Sequence, residues 1–407
     1  MEKEQLLSLE NQKKILSKEL SSVERRELFS SWSQLSLTQR ESLLHQISSL
    51  LLSFPKRERI VQKEREEYFP PREPLQAEER HAVLGRQLLQ EGRVGCLLLA
   101  GGEGSRLGFC APKGLYHLSL APPKSLFQLF IENLLSQGRE LEREFPLALL
   151  LSPKNREITE RFFSLNGHFG MNPRQLSFFC QGESPFLSLD RRGFFLSSPY
   201  RVACGAEGNG RALFHFFRSG IYTKWREQGI EQVYLYFIDN PLEVPLDPYF
   251  LGVHRESKAE ISLKVIQRVK SSEPLGLLTS DAQGRWRVCE SCDLLKEPSL
   301  SAYRYGSSGI TLFSMDAIQR MGKSSVESHL PIHTVARKTL RYIQGGGIGE
   351  VMAWKQEFFL LDLLPHTNQA TVLLQERERC FAPIKQPSDL RSVSLRLSLM
   401  AKEKGLS

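Results

Sequence analysis

The sequence predicts an α/β protein: a mixed, mostly parallel sheet flanked by helices, with a helical unit before it and a small unit after it. Three observations carry that reading. From about residue 94, short apolar runs alternate with amphipathic stretches, the pattern of strands buried between helices. The first 75 or so residues are instead rich in Leu, Glu, Lys, Gln and Ser, and apolar residues such as Leu6, Leu7, Ile15 and Leu16 recur at helical spacing. A glycine-rich turn directly follows the first strand, and open sheets of this kind bind ligands beyond the carboxyl ends of their strands.

Taken in order, residues 1–75 form the helical unit. The prolines in Phe69, Pro70, Pro71, Arg72, Glu73, Pro74 break helix and make this stretch a connector. Residues 76–345 form the main domain, with strands predicted at Val94–Leu99, Leu147–Leu151, Leu176–Cys180, Gln232–Ile238 and Ile261–Val269. Helices are predicted between them at Lys124–Leu141, Glu157–Leu165 and Arg211–Gln228. Gly345, Gly346 and Gly347 read as a flexible joint, because glycine relaxes the backbone. Residues 346–407 then make a unit too small to bury much core alone, ending in one helix over Ser388–Lys404. No internal repeat is present.

With 407 residues and 41% hydrophobic content, the chain is long enough for one large core with smaller flanking units. It has no apolar run of membrane-spanning length, and it opens with Met1, Glu2, Lys3, Glu4 instead of a secretory pattern, so a cytoplasmic protein without membrane contact is expected. The net charge of +8 is spread among interleaved acids and bases, which suits small phosphate-bearing ligands. Basic stretches interleaved with aromatics are missing, so no nucleic-acid partner is expected. The seven cysteines are odd in number and scattered, unlike a disulfide framework; Cys289 and Cys292 form a CxxC, but no second ligand pair follows at zinc-site spacing. No signal specifies an oligomeric state.

The strongest motif is LLLAGGEGSRLG, Leu97 to Gly108. A glycine-rich turn alone is often only a tight bend. Here Gly101, Gly102 and Gly104 let backbone N–H groups approach phosphate oxygens, and Arg106 adds a fork of donors for the outer phosphates. The spacing is neither that of the Walker loop nor that of a dinucleotide-binding fingerprint. Lys113, in the PKG of Pro112 to Gly114, would put a point charge on the phosphoryl group under attack.

These motifs resemble the eukaryotic-type UDP-N-acetylhexosamine pyrophosphorylases within the wider UDP-sugar pyrophosphorylase family, over roughly residues 75–390. LLAGGEGSRLG is similar to that family's LLAGGxGTRLG, and PKGLY at 112–116 to its PKGMY. The resemblance implies a Rossmann-like, GT-A-like nucleotidyltransferase fold and a magnesium-dependent reaction of UTP with a sugar 1-phosphate, here N-acetylglucosamine 1-phosphate. It assigns Gln181 to the uracil edge, Gly208 and Asn209 to the nucleotide, and Asp239 of IDN to Mg2+. Glu273 and Gly276 of EPLG and Glu290 of VCES are assigned to the sugar, and Lys385 of CFAPIK to the pyrophosphate side. The implied chemistry is in-line attack of the sugar phosphate oxygen on the α-phosphorus, with Arg106, Lys113 and Lys385 as the catalytic cations.

Two positions depart from the family pattern. Arg211 stands where a glycine usually follows the GNG turn, and Gly306, Ser307, Ser308, Gly309 replace NAGN, so the last asparagine is Gly309. These departures keep two alternatives open: glucose 1-phosphate or several hexose 1-phosphates as acceptors, and a nucleotide-sugar sensor without turnover. The chain also ends soon after Lys385, earlier than the eukaryotic members.

Overall fold

Apolar runs of five or six residues, too short for helices and flanked by glycine or proline, become the central strands: Val94–Leu99 and Leu147–Leu151 are buried at every position. The computed structural model describes residues 2–53, 67–190, 193–270, 273–290, 300–345 and 347–403. The chain begins with helices α1 (Glu2–Glu19), α2 (Ser22–Leu28), α3 (Leu37–Ser53) and α4 (Glu79–Gln90). It continues through β1 (Val94–Leu99), a short hairpin of β2 (His117–Leu118) and β3 (Lys124–Ser125), α5 (Leu126–Glu140), β4 (Leu147–Leu151), α6 (Arg156–Leu165) and β5 (Leu176–Cys180). Then come β6 (Glu183–Ser188), β7 (Leu196–Ser198), β8 (Arg201–Val202), β9 (Cys204–Ala206), α7 (Ala212–Arg218), α8 (Ile221–Glu227), β10 (Gln232–Phe237) and α9 (Pro248–Glu256). The last part holds β11 (Ile261–Gln267), β12 (Leu277–Ser280), β13 (Trp286–Cys289), β14 (Tyr305–Ser314), α10 (Met315–Lys323), α11 (Val326–His329), β15 (His333–Ile343), β16 (Gly347–Glu357), β17 (Ala370–Leu374), α12 (Arg377–Cys380) and α13 (Asp389–Glu403).

Contacts group these elements into two units, each discontinuous in sequence: residues 1–64, 182–209 and 331–359, and residues 65–181, 210–330 and 360–407. The boundaries expected at 75 and 345 separate consecutive segments, whereas the contacts gather segments far apart in the chain. In the first unit, β15 and β16 form a long antiparallel hairpin from His333↔Glu357 to Ile343↔Gly347, and the sheet continues through β6 to β9. Phe186, Phe195, Ala203 and Ala353 pack beneath it.

The second unit is built on a nine-stranded mixed sheet among the described residues, in the order β13-β12-β14-β10-β1-β4-β5, with β11 beside β14 and β17 beside β11. The strands β10, β1, β4 and β5 are mutually parallel, as are β11 and β17, while β14 runs antiparallel to β10 and β11. The helices flank this sheet, and Phe127, Phe130 and Ile131 of α5 and Phe250 and Leu251 of α9 join the strands in one core.

The predicted strands form within two residues of their expected ends. The helix expected over Arg211–Gln228 is two helices, α7 and α8, because Gly220 takes a left-handed conformation (φ +81°) between them. The C-terminal helix begins at Asp389; its expected last residue, Lys404, lies outside the described residues, as do Cys292 and Gly346. No helix among the described residues is long and apolar enough to cross a membrane.

Candidate active site

The register of the parallel strands sets where the site forms. Leu99 of β1 lies opposite Phe237 of β10 and Leu150 of β4, and Leu151 lies opposite Cys180 of β5. The chain therefore leaves four adjacent strands at one edge, and the residues that follow are Ala100, Ile238, Ser152 and Gln181. Strand β17 runs the same way as β10, so the segment after Leu374, which leads to Lys385, leaves the sheet at that edge too.

The glycine-rich loop closes on itself there. The Gly104 amide donates to the Ala111 carbonyl (2.9 Å) and the Lys113 amide to the Gly102 carbonyl (3.1 Å), which sets Lys113 beside the glycines although ten residues lie between it and Gly102. Asn155, buried after β4, donates its side-chain amide to the Gly101 carbonyl (3.2 Å). A Cβ on Gly101 would stand 2.6 Å from the amide nitrogen of Gln181, so the glycine is what lets buried Gln181 lie against the loop. Gly102 by contrast faces open space, with no atom within 4 Å of where a Cβ would be. Gly114 packs on the Phe127 ring, where a Cβ would come within 2.2 Å, which fixes the PKG turn on α5.

Charges from three segments meet at this loop. Lys113 is half-buried and lies in the field of Asp239, Arg106, Lys385 and Asp389. Burial lowers its pKa, Arg106 and Lys385 lower it further, and Asp239 and Asp389 oppose them. Its ammonium donates to the Ile384 carbonyl, and the Ile384 amide donates to the Asp239 carbonyl (2.7 Å). Arg106 and Lys385 are exposed, available to a ligand arriving from solvent.

The residues expected on the sugar side lie along β14, whose first residues extend past the end of β10. Leu277, after Gly276, pairs with Gly306, and Cys289, before exposed Glu290, pairs with Leu277. Glu273 is less available than expected, since Arg377 ion-pairs with its carboxylate (3.1 Å for one donor) and the Val269 amide donates to it (3.3 Å). Gly309 adopts φ +83° with its Cα turned to the Phe237 ring, a conformation asparagine tolerates better than most residues. Arg211 lies 3.7 Å from Glu327, so its charge has an acidic neighbour within the same unit.

Gly208 and Asn209 belong to the other unit. There Gly208 takes φ +88° and a Cβ on it would meet the Phe358 carbonyl at 2.5 Å, which explains glycine at that turn. The preceding Glu207, buried and unnoticed in the sequence, accepts from the Gly182 amide (2.9 Å).

Three further residues escape sequence reading. Asn155 and Asn240 act through side-chain bonds to distant backbone; Asn155 has only its place just after a strand as a sequence signal, and Asn240 stands in the IDN motif with no role assigned to it there. Lys264 is 2% exposed in β11; it bonds Asp247 (2.8 Å), Glu243 (3.1 Å) and the Tyr234 hydroxyl (3.0 Å), tying down the chain that follows Asp239. Burial alone would lower its pKa; Asp247 and Glu243 outweigh that and hold it charged.

No cluster of three or more His, Cys, Asp or Glu that could hold a metal exists among the described residues. Asp239, a lone carboxylate at the end of β10 whose charge reaches Lys113, fits an ion that takes one or two protein carboxylates and completes its shell with phosphates and water.

Residues 29–404 match the family described as UTP–glucose-1-phosphate uridylyltransferase. The chain is 26% identical to UDP-N-acetylglucosamine diphosphorylase 2 of Arabidopsis thaliana, over 91% of this chain and 81% of that protein. Its fold is similar to the uridine diphosphate N-acetylglucosamine pyrophosphorylase of Trypanosoma brucei (TM-score 0.77, 22% identity, 97% and 87% of the two chains). It is also similar to the UDP-glucose phosphorylase of Trypanosoma brucei (TM-score 0.66, 17% identity, 91% and 77%).

Proposed function

The chain belongs to the UTP–glucose-1-phosphate uridylyltransferase family, and from that premise we propose that it transfers the uridylyl group of UTP to a sugar 1-phosphate, N-acetylglucosamine 1-phosphate before others, releasing pyrophosphate. One observation carries the reading: Lys113 lies in the field of Asp239, Arg106 and Lys385, beside an open glycine loop at the carboxyl edge of the sheet. Ground-state binding of one nucleotide would not need three cations and an acid together. The sugar rests on the relative named for UDP-N-acetylglucosamine, aligned over most of the chain. Gly309, in place of an asparagine, makes glucose 1-phosphate the competing acceptor.

In this mechanism the sugar phosphate oxygen, already anionic, attacks the α-phosphorus of UTP while the bond to pyrophosphate breaks, so no general base is required. The amides of Gly101 and Gly102 donate to phosphate oxygens, whereas that of Gly104, expected to do the same, is taken by the Ala111 carbonyl and shapes the loop instead; Gln181 meets the uracil edge. Lys113 and Arg106 offset the charge that grows on the transferring and leaving phosphates, and Lys385 holds the pyrophosphate side. Mg2+ bound at Asp239 would draw off negative charge from the same phosphates. Gly208 and Asn209 are assigned to the nucleotide, and Gly276 and Glu290 to the sugar; Glu273, paired with Arg377, serves that pocket through its loop.

The test is pyrophosphate release by the purified chain with UTP and Mg2+ across N-acetylglucosamine 1-phosphate, N-acetylgalactosamine 1-phosphate and glucose 1-phosphate. Highest kcat/KM with N-acetylglucosamine 1-phosphate supports the assignment. Preference for glucose 1-phosphate changes the sugar and keeps the reaction, and binding of UDP-sugar without turnover replaces the enzyme by a sensor.

A further inference from the structure

We propose that Asn240 is a positioning residue: its side-chain amide fastens the segment that carries Lys385 to the strand end that carries Asp239, and so fixes where the Lys385 ammonium stands. The inference rests on the uridylyltransferase reading for its kinetic consequence and on geometry alone for the anchoring.

Asn240 is 3% exposed and uses both ends of its amide. Its Nδ2 donates to the Cys380 carbonyl (2.7 Å), and its Oδ1 accepts from the Ala382 amide (2.9 Å). Two residues on, Ile384 takes up the same alternation through main chain and lysine: its amide donates to the Asp239 carbonyl (2.7 Å) and its carbonyl accepts from Lys113. Residues 380, 382 and 384 are thus stitched, every second residue, to the end of β10 and to the phosphate loop. On the far side, the Lys385 and Gln386 amides donate to the Asp389 carboxylate (2.8 and 2.9 Å) at the start of α13.

Lys385 therefore leaves the surface from a stretch pinned on both flanks, although its own side chain is exposed. The exposed ammonium at the end of four rotatable bonds gains a defined position only from its backbone. Asn240 supplies two of the four bonds that, among the described residues, tie 380–384 to the end of β10 and to the glycine loop. An asparagine amide can donate and accept at once, whereas aspartate can accept from Ala382 but would face the Cys380 carbonyl with a second acceptor, and leucine can do neither. The amide is also the only link in the set that a side-chain substitution can remove without touching Asp239 or Lys113.

The experiment is a double-mutant cycle of Asn240→Ala with Lys385→Ala in the full-length chain, following pyrophosphate release, with hydrogen exchange of peptides spanning 376–389. A misplaced cation at a phosphoryl-type centre costs on the order of 10- to 100-fold in rate. Asn240→Ala is expected to lower kcat by about 10-fold when Lys385 is present and by less than about twofold when it is already alanine. Exchange in 376–389 should rise while peptides of β1 and β10 stay protected. Asn240→Asp, which keeps one of the two bonds, should fall between, and it serves as the test variant if alanine at 240 does not fold. Equal losses in both backgrounds, or unchanged exchange in 376–389, would overturn the proposal. If the unsubstituted chain releases no pyrophosphate with any of the three acceptors, the function reading fails, and the exchange measurement still decides whether Asn240 anchors the segment.

Discussion

At the scale of the residue, the proposed site centres on Lys113. Its half-burial, its bond to the Ile384 carbonyl and its neighbours Arg106 and Lys385 make it a desolvated cation held at one place. Lys113→Ala should lower kcat by about 100-fold, the scale of a lost transition-state donor, while thermal unfolding shows an intact fold. Near-normal turnover would remove Lys113 from the reaction. Its lowered pKa also has a sign that can be checked. A lysine ammonium is lost as pH rises through its pKa, so the rate should have an alkaline limb below that of an ordinary lysine. Removing the Lys385 charge relieves one of the effects that lower it, so Lys385→Met should move that limb to higher pH. A limb that stays in place, or moves down, would mean another group titrates. The sequence identified Lys113 by its place between proline and glycine near a phosphate loop. It could not identify Asn240, whose partners Cys380 and Ala382 lie some 140 residues away.

At the scale of the element, α4 and α9 pack backbone to backbone. A Cβ on Gly252 would lie 1.7 Å from the His81 carbonyl, and one on Gly85 would lie 1.9 Å from the Pro248 carbonyl. Alanine normally gains about 1 kcal/mol over glycine inside a helix. Here the blocking atoms are main chain, so the helices must separate, and overpacking of this kind costs about 1–3 kcal/mol or more. Gly252→Ala should therefore lower Tm; a raised Tm would show that the helices have room. The same helix carries His254, wholly buried, with Nδ1 on the Ser262 hydroxyl (2.7 Å) and Nε2 without a partner among the described residues. Burial, and then Arg255, push its pKa down from 6.5 to about 3. Below pH 6.5 the unfolded chain binds this proton and the folded chain does not. The stability is thus complete above that pH and falls as the pH drops toward about 3. At pH 5 the loss is about 2 kcal/mol. His254→Asn should narrow the gap in Tm between pH 7.5 and pH 5, and an unchanged gap would place the acid sensitivity elsewhere.

For the whole molecule, the net charge of +8 includes three cations, Arg106, Lys113 and Lys385, that the proposed function sets against the nucleotide's phosphates. A ligand that binds only the folded chain stabilises it by about 2.7 kcal/mol at a hundred times its Kd. UTP with Mg2+ should raise Tm by several degrees, UMP by less because it lacks the outer phosphates, and high salt should shrink the difference. Equal shifts with UMP and UTP would mean that the cations do not face the outer phosphates.

The sequence by itself determined the parallel core, because strands buried on both faces must be apolar throughout and no other local pattern produces Val94–Leu99 followed by a glycine turn. It singled out Gly101, Gly102 and Asp239 as well, since each lies within a few residues of a strand end that the pattern marks, and Lys113 by the PKG that follows the glycine loop. Only the tertiary structure decided what sequence distance hides. It placed the 380–385 segment at the end of β10 through β17, bound Glu273 to Arg377, set the Lys264 ion cluster behind the Asp239 loop, and joined β6 and β9 with the β15–β16 hairpin and the N-terminal helices in one unit. The physical reason is common to all four. Helix and strand periodicity arise from neighbours within a few residues, whereas hydrogen bonds and ion pairs between segments exist only once strand register has brought them together.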